Sequence, residues 1–238
     1  MQLSNERVRI LVCHNFYQQK GGEDVVVRQE IDLLVKNGNI VELFSADSTI
    51  VQNFSFIQKF LFFFRTVFNF HSYNSLTNRI TDFKPDVVHI HNVFPILSPS
   101  VYYACFKNNI PIVQTIHNFR FLCPNGLFYT HNSVCERCKF GNYFHAVDLK
   151  CFRDSYLLSA LYAFTIWFHR KNGLLEKISK FVVLNDFIKK QFIDIGIDES
   201  KIVVKPNSLS INEVKEILPI LHVRRLENDT IRLKHTRC

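Results

Sequence analysis

Short apolar runs alternate with segments of helical periodicity along most of the chain. Residues 8–13 form an apolar run typical of a buried parallel strand, a helical segment ends at Asn37 and Gly38, and residues 40–44 form a second run. Such a β-α-β unit requires a right-handed crossover. The alternation returns as strands at residues 85–91, 112–117, 181–184 and 202–204, with helices at residues 98–107 and 186–195. The sequence therefore predicts a doubly wound α/β fold with a mostly parallel, Rossmann-like sheet, whose ligands bind outside the carboxyl ends of the strands.

The formal net charge of +8, from 29 Lys and Arg against 21 Asp and Glu, indicates either an anionic partner or a surface that favours solubility. Anionic lipid and a sugar nucleotide both suit this charge. Nucleic acid is not expected, since no basic stripe interleaved with aromatic residues matches a known nucleic-acid module. Residues 1–9 are polar and lack the apolar core of a signal peptide, so we expect a cytoplasmic chain whose seven cysteines are reduced.

Two apolar, aromatic-rich stretches interrupt the α/β alternation. Residues 54–70 are too few and, with Lys59 and Arg65, too charged for a typical bilayer-spanning helix. They suit either a helix lying in the membrane interface or a core helix. The second stretch, residues 156–168, has the same two interpretations, and its pattern favours a core-facing helix.

The sequence lacks several nucleotide-binding and nucleophile motifs, which argues against some enzyme classes. The chain has no G-x-G-x-x-G after the first strand, no G-x-x-x-x-G-K-[ST] and no G-x-S-x-G, so NAD enzymes, P-loop NTPases and ordinary α/β-hydrolases are not expected. Instead, Gly21, Gly22 and Glu23 come after the first strand. Bare backbone N–H groups at such a helix start can meet a phosphate, although a glycine pair is also an ordinary loop.

Three histidines lie at or near strand ends. His89 and His91 are two apart on one face of the strand at residues 85–91, and His117 ends the strand at residues 112–117. A single buried histidine is more often an ordinary core residue. His91 and His117, however, fall at the crevice where this architecture binds ligands.

Four cysteines have the pattern C-x11-C-x2-C-x12-C in a stretch with little regular structure: Cys123, Cys135, Cys138 and Cys151. A long loop in a compact domain usually needs a cross-link. In a reducing compartment, four thiolates around a structural zinc ion would supply it, and free thiols remain an equal alternative to zinc, with disulfides third. Cys13, Cys105 and Cys238 look solitary, and Cys105 is expected in a buried helix.

Several of these segments together resemble glycosyltransferase family 4, the retaining enzymes of the GT-B fold. The resemblance rests on Gly21-Gly22-Glu23 before a helix ending LLVKNGNIVELF, PDVVHIHN at residues 85–92, IPIVQTIHNFR at residues 110–120, and KFVVLNDFIKKQFIDIGIDESKIVVKPN at residues 180–207. These segments keep the order and spacing of the family. The match is therefore more specific than any one motif.

The resemblance implies a function and a set of site residues. In such enzymes the N-terminal domain holds the acceptor, and the C-terminal domain holds most of the nucleotide sugar. Gly21 and Gly22 would contact the donor diphosphate, His117 would lie beside the transferred sugar as the catalytic residue, and His91, Asn118 and Arg120 would line the same cleft. No catalytic metal is expected. The implied reaction is hexosyl transfer from a UDP- or GDP-sugar to a lipid-linked saccharide, in bacterial lipopolysaccharide or capsule synthesis on the inner face of the cell membrane.

The domain prediction comes from the same resemblance. Residues 1–207 would form the acceptor-side domain, with a Cys-rich insertion at about residues 119–151, and residues 208–238 would form a linker and the truncated start of a donor-binding domain. Residues 221–226 resemble the first strand of that domain, with Arg225 at the family's basic position, but Arg224 replaces an expected Gly. We therefore expect a transferase that is weak or inactive alone. The alternatives are a non-catalytic acceptor- or membrane-binding module, whose donor domain lies on another chain, and a degenerate gene product.

Overall fold

The computed structural model describes residues 7–17, 21–49 and 56–207, with side chains throughout these ranges except at residues 56–61. The chain divides into two units, Met1–Pro206 and Asn207–Cys238. Apart from Asn207, the second unit lies outside the described residues, as do Cys238 and the strand expected at residues 221–226. The predicted domain boundaries stay a prediction.

Strands and helices alternate along the described chain, as the periodicity predicts. In order they are β1 (Arg9–Phe16), α1 (Gly22–Lys36), β2 (Ile40–Asp47), α2 (Phe56–Val67), α3 (Phe70–Phe83), β3 (Val87–Ile90), α4 (Ser100–Lys107), β4 (Ile112–Ile116), β5 (Tyr129–Thr130), β6 (Ser133–Val134), α5 (Phe144–Asp148), α6 (Tyr156–Lys171), β7 (Lys180–Val183), α7 (Asp186–Asp194) and β8 (Ile202–Val204).

Six of these strands form one sheet in the order β2-β1-β3-β4-β7-β8, and every neighbouring pair is parallel. The predicted Rossmann-like α/β fold is confirmed. The chain leaves β1 toward β2 and returns on the other side of β1 as β3. The carboxyl ends of β1 and β3 therefore border the topological switch point, where ligands bind in open α/β sheets.

Strand ends differ slightly from the sequence-based limits. β1 continues to Phe16, since its pairing with β2 extends to Asp47, and His14 and Asn15 are fully buried. β3 and β4 stop at Ile90 and Ile116, so His91 and His117 are each the first residue after a strand. At the end of α1, Gly38 has a φ of +85°, the left-handed conformation that a C-terminal glycine favours.

The main core lies under the strands in the middle of the sheet and includes Leu11, Val88 and Phe181, each fully buried. Cys105 is buried in α4, as predicted. It is not solitary, however, because Cys13 lies beside it in the same core. Burial, and secondarily the neighbouring Cys105, raises the pKa of the Cys13 thiol well above its ordinary value.

Helices α2 and α6 pack against each other. The prediction that residues 156–168 face the core is correct for one face of α6, where Leu161 and Ile166 are buried. Another face is exposed and aromatic, since Phe164 is 49% and Trp167 44% accessible. No helix in the described ranges combines the length and the apolar character needed to cross a bilayer.

The segment at residues 119–151 has little regular structure, as expected. It contains the two-residue ladder of β5 with β6 and the five-residue helix α5. Its outer part is tied to α6 and α7: Arg170 donates to the carbonyl oxygen of Lys139 at 3.0 Å and to the hydroxyl of Tyr143 at 2.6 Å, and Lys139 pairs with Asp194 at 2.6 Å.

Candidate functional site

Four histidine rings meet near the carboxyl ends of β1, β3 and β4. His91 Nδ1 and His117 Nε2 are 3.0 Å apart, and the ring centroids of His89 and His91 are 4.3 Å apart. His14 approaches the edge of His91, with centroids 6.1 Å apart. His89 Nε2 lies 2.8 Å from the hydroxyl of Thr115. The cluster exists because His89 and His91 share one strand face and the carboxyl ends of parallel strands meet at one edge.

Burial keeps this cluster uncharged at neutral pH. It lowers the pKa of all four rings. The pKa of His91 lies well below its ordinary value, because burial acts there together with three neighbouring histidine rings. The pKa of His117 falls to about 4, mainly through burial and then through the proximity of His14, His89 and Lys205. A neutral imidazole at this position can donate or accept a hydrogen bond but carries no net charge.

The start of α1 is fixed to β1 through Asp24. One carboxylate oxygen of Asp24 lies 2.8 Å from His14 Nε2, and the other accepts from the backbone N–H of Gly21 at 3.4 Å. Asp24 itself is buried. The acidic start of this helix therefore holds the glycine loop in place, in addition to complementing the helix dipole.

Glu23 is a site residue that the sequence analysis did not assign a role. Its Oε2 accepts from the hydroxyl of Tyr17 at 3.0 Å. Its Oε1 and the Nε of Arg120 are buried without a hydrogen-bond partner in the described part of the chain. Burial outweighs the Tyr17 hydrogen bond and the Arg120 charge, so the pKa of Glu23 rises to about 7. A carboxyl poised near neutrality can hydrogen-bond a hydroxyl in either protonation state.

Two cavities adjoin at this edge of the sheet. The smaller is lined by Glu23 and by all four predicted cleft residues, His91, His117, Asn118 and Arg120. The larger measures about 610 Å³ and is lined mainly by apolar side chains of α2, α6 and the loops after β1 and β3, together with Gly21 and Arg153.

Arg120 belongs to the walls of both cavities. Its guanidinium lies 5.5 Å from the ring centroid of Tyr162, 5.6 Å from Phe94 and 5.9 Å from Phe152. Three aromatic faces thus hold the cation at the junction by cation–π attraction.

In the described part of the fold, nothing requires glycine at the two positions where α1 starts. Gly21 has a φ of −108°, which other residues adopt readily. Among the described residues, a Cβ on Gly21 would meet only Tyr17, at 4.0 Å, and a Cβ on Gly22 would meet nothing within 4 Å. The missing side chains therefore leave backbone open to a ligand, beside the larger cavity that Gly21 lines.

One possible cation-binding group overlaps the histidine cluster. Among the described residues, it is the only set of three or more His, Cys, Asp or Glu side chains whose ligand atoms all lie within 4.8 Å of one another: Glu30, His89 and His91. Lys205 Nζ already lies 3.3 Å from the Glu30 carboxylate. This ammonium neutralises the acid and disfavours a divalent cation at the same place.

The family is shown by a match that covers most of the described domain and includes these site residues. A model of the family described as Glycosyltransferase Family 4 matches residues 20–213. The chain belongs to glycosyltransferase family 4. The resemblance inferred from its sequence motifs is thereby confirmed. No curated protein matches the chain by sequence.

Several solved structures are similar at low sequence identity. The lipopolysaccharide outer core galactosyltransferase WaaB, in its apo form, is 15% identical, with a TM-score of 0.45 over 85% of this chain and 46% of WaaB. Anabaena HepE in complex with UDP and glucose is 15% identical, with a TM-score of 0.43 over 87% and 46%. A UDP-GlcNAc 2-epimerase from Neisseria meningitidis, bound to UDP-GlcNAc, is 14% identical, with a TM-score of 0.44 over 93% and 52%. The chain thus spans about half the length of these proteins.

The predicted site residues fall into three groups in space. His91, His117, Asn118 and Arg120 line one cavity, Gly21 lines the adjoining one, and Gly22 comes next at the start of α1. The four cysteines of the insertion surround a separate cavity. Tyr17, Glu23 and Lys205 are also members of the site, although no sequence pattern identified them. The position of Glu23 could have indicated a site residue, because it comes directly after the glycine pair at the carboxyl side of β1.

Proposed function

We propose that this chain is the acceptor-side domain of a retaining glycosyltransferase that moves a hexose from a UDP- or GDP-sugar to a lipid-linked saccharide in bacterial surface polysaccharide synthesis. The observation that carries the proposal is the junction of two cavities at the switch point of the sheet. The smaller cavity is lined by His117 and several other polar side chains, the larger one mainly by apolar side chains, and both share Arg120.

The donor would lie along the start of α1. Open backbone at Gly21 and Gly22, the positive end of the helix dipole and the cation of Arg120 together suit a diphosphate. His117, held neutral by burial, would hydrogen-bond a hydroxyl of the transferred sugar. Negative charge develops on the leaving diphosphate in such a reaction, and preorganised hydrogen-bond donors and cations stabilise it.

The acceptor would occupy the larger cavity. Its walls include Phe62 and Phe63 from α2 and Leu158 and Leu161 from α6, which suit an apolar chain. Arg120 and Arg153 line the same cavity and suit a phosphate. An amphiphile with a lipid tail, a phosphate and a saccharide combines these features.

An anionic membrane surface is the proposed source of this acceptor. The two helices that line the larger cavity also carry exposed aromatic side chains, with Phe64 57% accessible on α2 and Trp167 44% accessible on α6. Arg65 is exposed beside Phe64. Aromatic rings in the headgroup region with cations on lipid phosphates suit a peripheral protein on the inner face of the cell membrane.

A donor-side domain is expected to complete the enzyme, because in the resembled family that domain supplies most of the charge that stabilises the leaving diphosphate. We therefore expect the acceptor-side domain to turn over at a trace rate or not at all without one. The second candidate function is a non-catalytic acceptor- or membrane-binding module. The large apolar cavity favours it, since a lipid-linked saccharide would bind there without any donor.

The test is a product-release assay with a panel of UDP- and GDP-sugars and membrane lipid extract, run on the chain alone and with a family donor domain supplied in trans or in frame. Turnover that appears on addition of the donor domain supports the transferase. Saturable lipid binding with no turnover in either arm supports the binding module, and neither turnover nor lipid binding contradicts both.

A further inference from the structure

We propose that Cys123, Cys135, Cys138 and Cys151 bind one zinc ion through four thiolates, and that this ion fixes the wall of the larger cavity. The four residues come from separate turns of the insertion, yet they line one small cavity of their own. All four are free thiols in the structure. This site is distinct from the histidine cluster and goes beyond the proposed transferase chemistry.

Local turns present the four cysteines to this cavity. Cys123 begins a tight turn in which Gly126 donates to its carbonyl at 2.9 Å, and Gly141 does the same for Cys138 at 2.9 Å. Cys135 is held by a bond from its N–H to the Phe128 carbonyl at 2.8 Å. The two central cysteines are therefore carried by a short hydrogen-bonded loop, the arrangement that a C-x2-C zinc ligand pair needs.

The loop around the four cysteines contains many strained backbone conformations, which a cross-link would help to stabilise. Nine non-glycine residues of the described chain have a positive φ, and six of them fall between residues 128 and 154: Phe128, His131, Asn132, Lys150, Arg153 and Asp154. Left-handed backbone is strained for residues other than glycine. Because regular structure in this segment is limited to a two-residue ladder and a five-residue helix, a bound metal is the natural source of compensating stability.

The proposed ion would also hold both ends of the insertion near the cavity junction. Cys123 donates its N–H to the carbonyl of Phe119, the neighbour of Arg120, at 2.8 Å. Cys151 precedes Phe152, whose ring lies 5.9 Å from the Arg120 guanidinium. Zinc at this position would therefore fix Arg120 and Phe152, which line the larger cavity.

His145 is the competing ligand, because it lines the same small cavity. Four thiolates complete a tetrahedral shell without it. No three of the four sulfur atoms lie within 4.8 Å of one another in the structure, so binding requires the thiols to close on the ion. Rotation about the Cα–Cβ bonds of the more exposed Cys135 and Cys151 would provide part of that movement.

The experiment is metal analysis of the full chain purified without chelator, with zinc release by a thiol-specific mercurial. We expect one zinc per chain in the wild type, in His145→Ala and in Cys238→Ser, and loss of zinc in Cys135→Ser and Cys138→Ser. Zinc retained by Cys138→Ser, or lost from His145→Ala, would overturn the four-thiolate assignment.

Wild-type measurements cover the case in which cysteine variants fail to fold. Refolding with Co²⁺ should give intense thiolate-to-cobalt charge-transfer absorption, and stripping the metal should lower the melting temperature. Native protein that contains no zinc and shows neither effect would overturn the proposal, as would disulfides among the four cysteines in non-reducing mass spectrometry.

Discussion

His91 Nδ1 and His117 Nε2 lie 3.0 Å apart, so one of the two rings must donate the shared proton and the other must accept it. The pair is surrounded by His14 and His89, and burial lowers the pKa of all four rings. Protonation of the cluster would bring like charges together in a desolvated site. Its neutrality at physiological pH is therefore built into the packing of β1, β3 and β4.

We predict that the folded chain loses stability as the pH falls from about 6.5 to about 4. Unfolded His117 takes up a proton near 6.5, whereas the folded residue does so at about 4. The contribution of neutral His117 to the free energy of unfolding is therefore fully present above about pH 6.5. It is lost as the pH falls toward about 4, by up to about 3 kcal/mol. Urea unfolding at a series of pH values should show a smaller acid loss in His117→Gln. Parallel profiles for the variant and the wild type would contradict the assigned pKa.

Glu23 should show the opposite dependence. Its pKa is about 7 in the folded chain against an ordinary 4.5, so the unfolded chain ionises first as the pH rises. The contribution of Glu23 to stability is present below 4.5 and declines by up to about 3 kcal/mol as the pH approaches 7. Glu23→Gln should remove this decline, so that its free energy of unfolding, relative to the wild type, rises between pH 4.5 and 7. A difference that stays constant over this range would show that Glu23 ionises normally.

The glycines provide a matched pair of substitutions. Gly22→Ala should not destabilise the fold, because its Cβ meets none of the described residues within 4 Å, yet it should weaken binding of a UDP- or GDP-sugar if backbone at this position contacts the diphosphate. Gly38→Ala should destabilise the fold by about 1 kcal/mol, since Gly38 has a φ of +85°, without affecting donor binding. Thermal unfolding measures the change in stability, and titration calorimetry with the donor domain present measures the affinity for the sugar nucleotide. Equal donor affinity in Gly22→Ala and the wild type would exclude the diphosphate role.

Membrane binding should depend on the exposed aromatic residues of α2 and α6. Sedimentation with anionic vesicles should fall several-fold in a Phe64→Ser/Trp167→Ser variant, and high salt should weaken binding of the wild type by screening its cations. Val134→Ser is the control, because Val134 is 77% accessible but lies in β6. Equal sedimentation with neutral and anionic vesicles at every salt concentration would contradict the electrostatic contribution.

The sequence predicted the parallel sheet because periodicity and handedness restrict how β-α-β units connect. It also predicted that His91 and His117 fall at the crevice outside the carboxyl ends of the strands, because both lie at predicted strand ends. The role of Glu23 could not be predicted in this way. Whether an acid in the first turn of a helix faces solvent or a cavity depends on distant neighbours, here Tyr17 and Arg120.

Tertiary contacts also explain two further differences between the sequence-based predictions and the structure: the place of Lys205 in the site and the exposed face of α6. Lys205 joins the site through an ion pair with Glu30 on α1, a contact between residues far apart in sequence that no local pattern contains. Helix α6 has apolar residues on both its buried and exposed faces, so periodicity could not separate a core helix from one that also presents Phe164 and Trp167 outward.

The proposed transferase role is tested most sharply by hexosyl transfer to extracted lipid with a donor-side domain supplied, comparing the wild-type chain, His117→Ala and His71→Ala. His71 is an exposed histidine of α3 that lines neither cavity of the site, so its loss controls for general effects of removing an imidazole. We predict that His117→Ala lowers turnover by about 10²-fold or more while its circular dichroism stays native, and that His71→Ala retains wild-type turnover. Transfer by His117→Ala at the wild-type rate would contradict the proposed role of this domain.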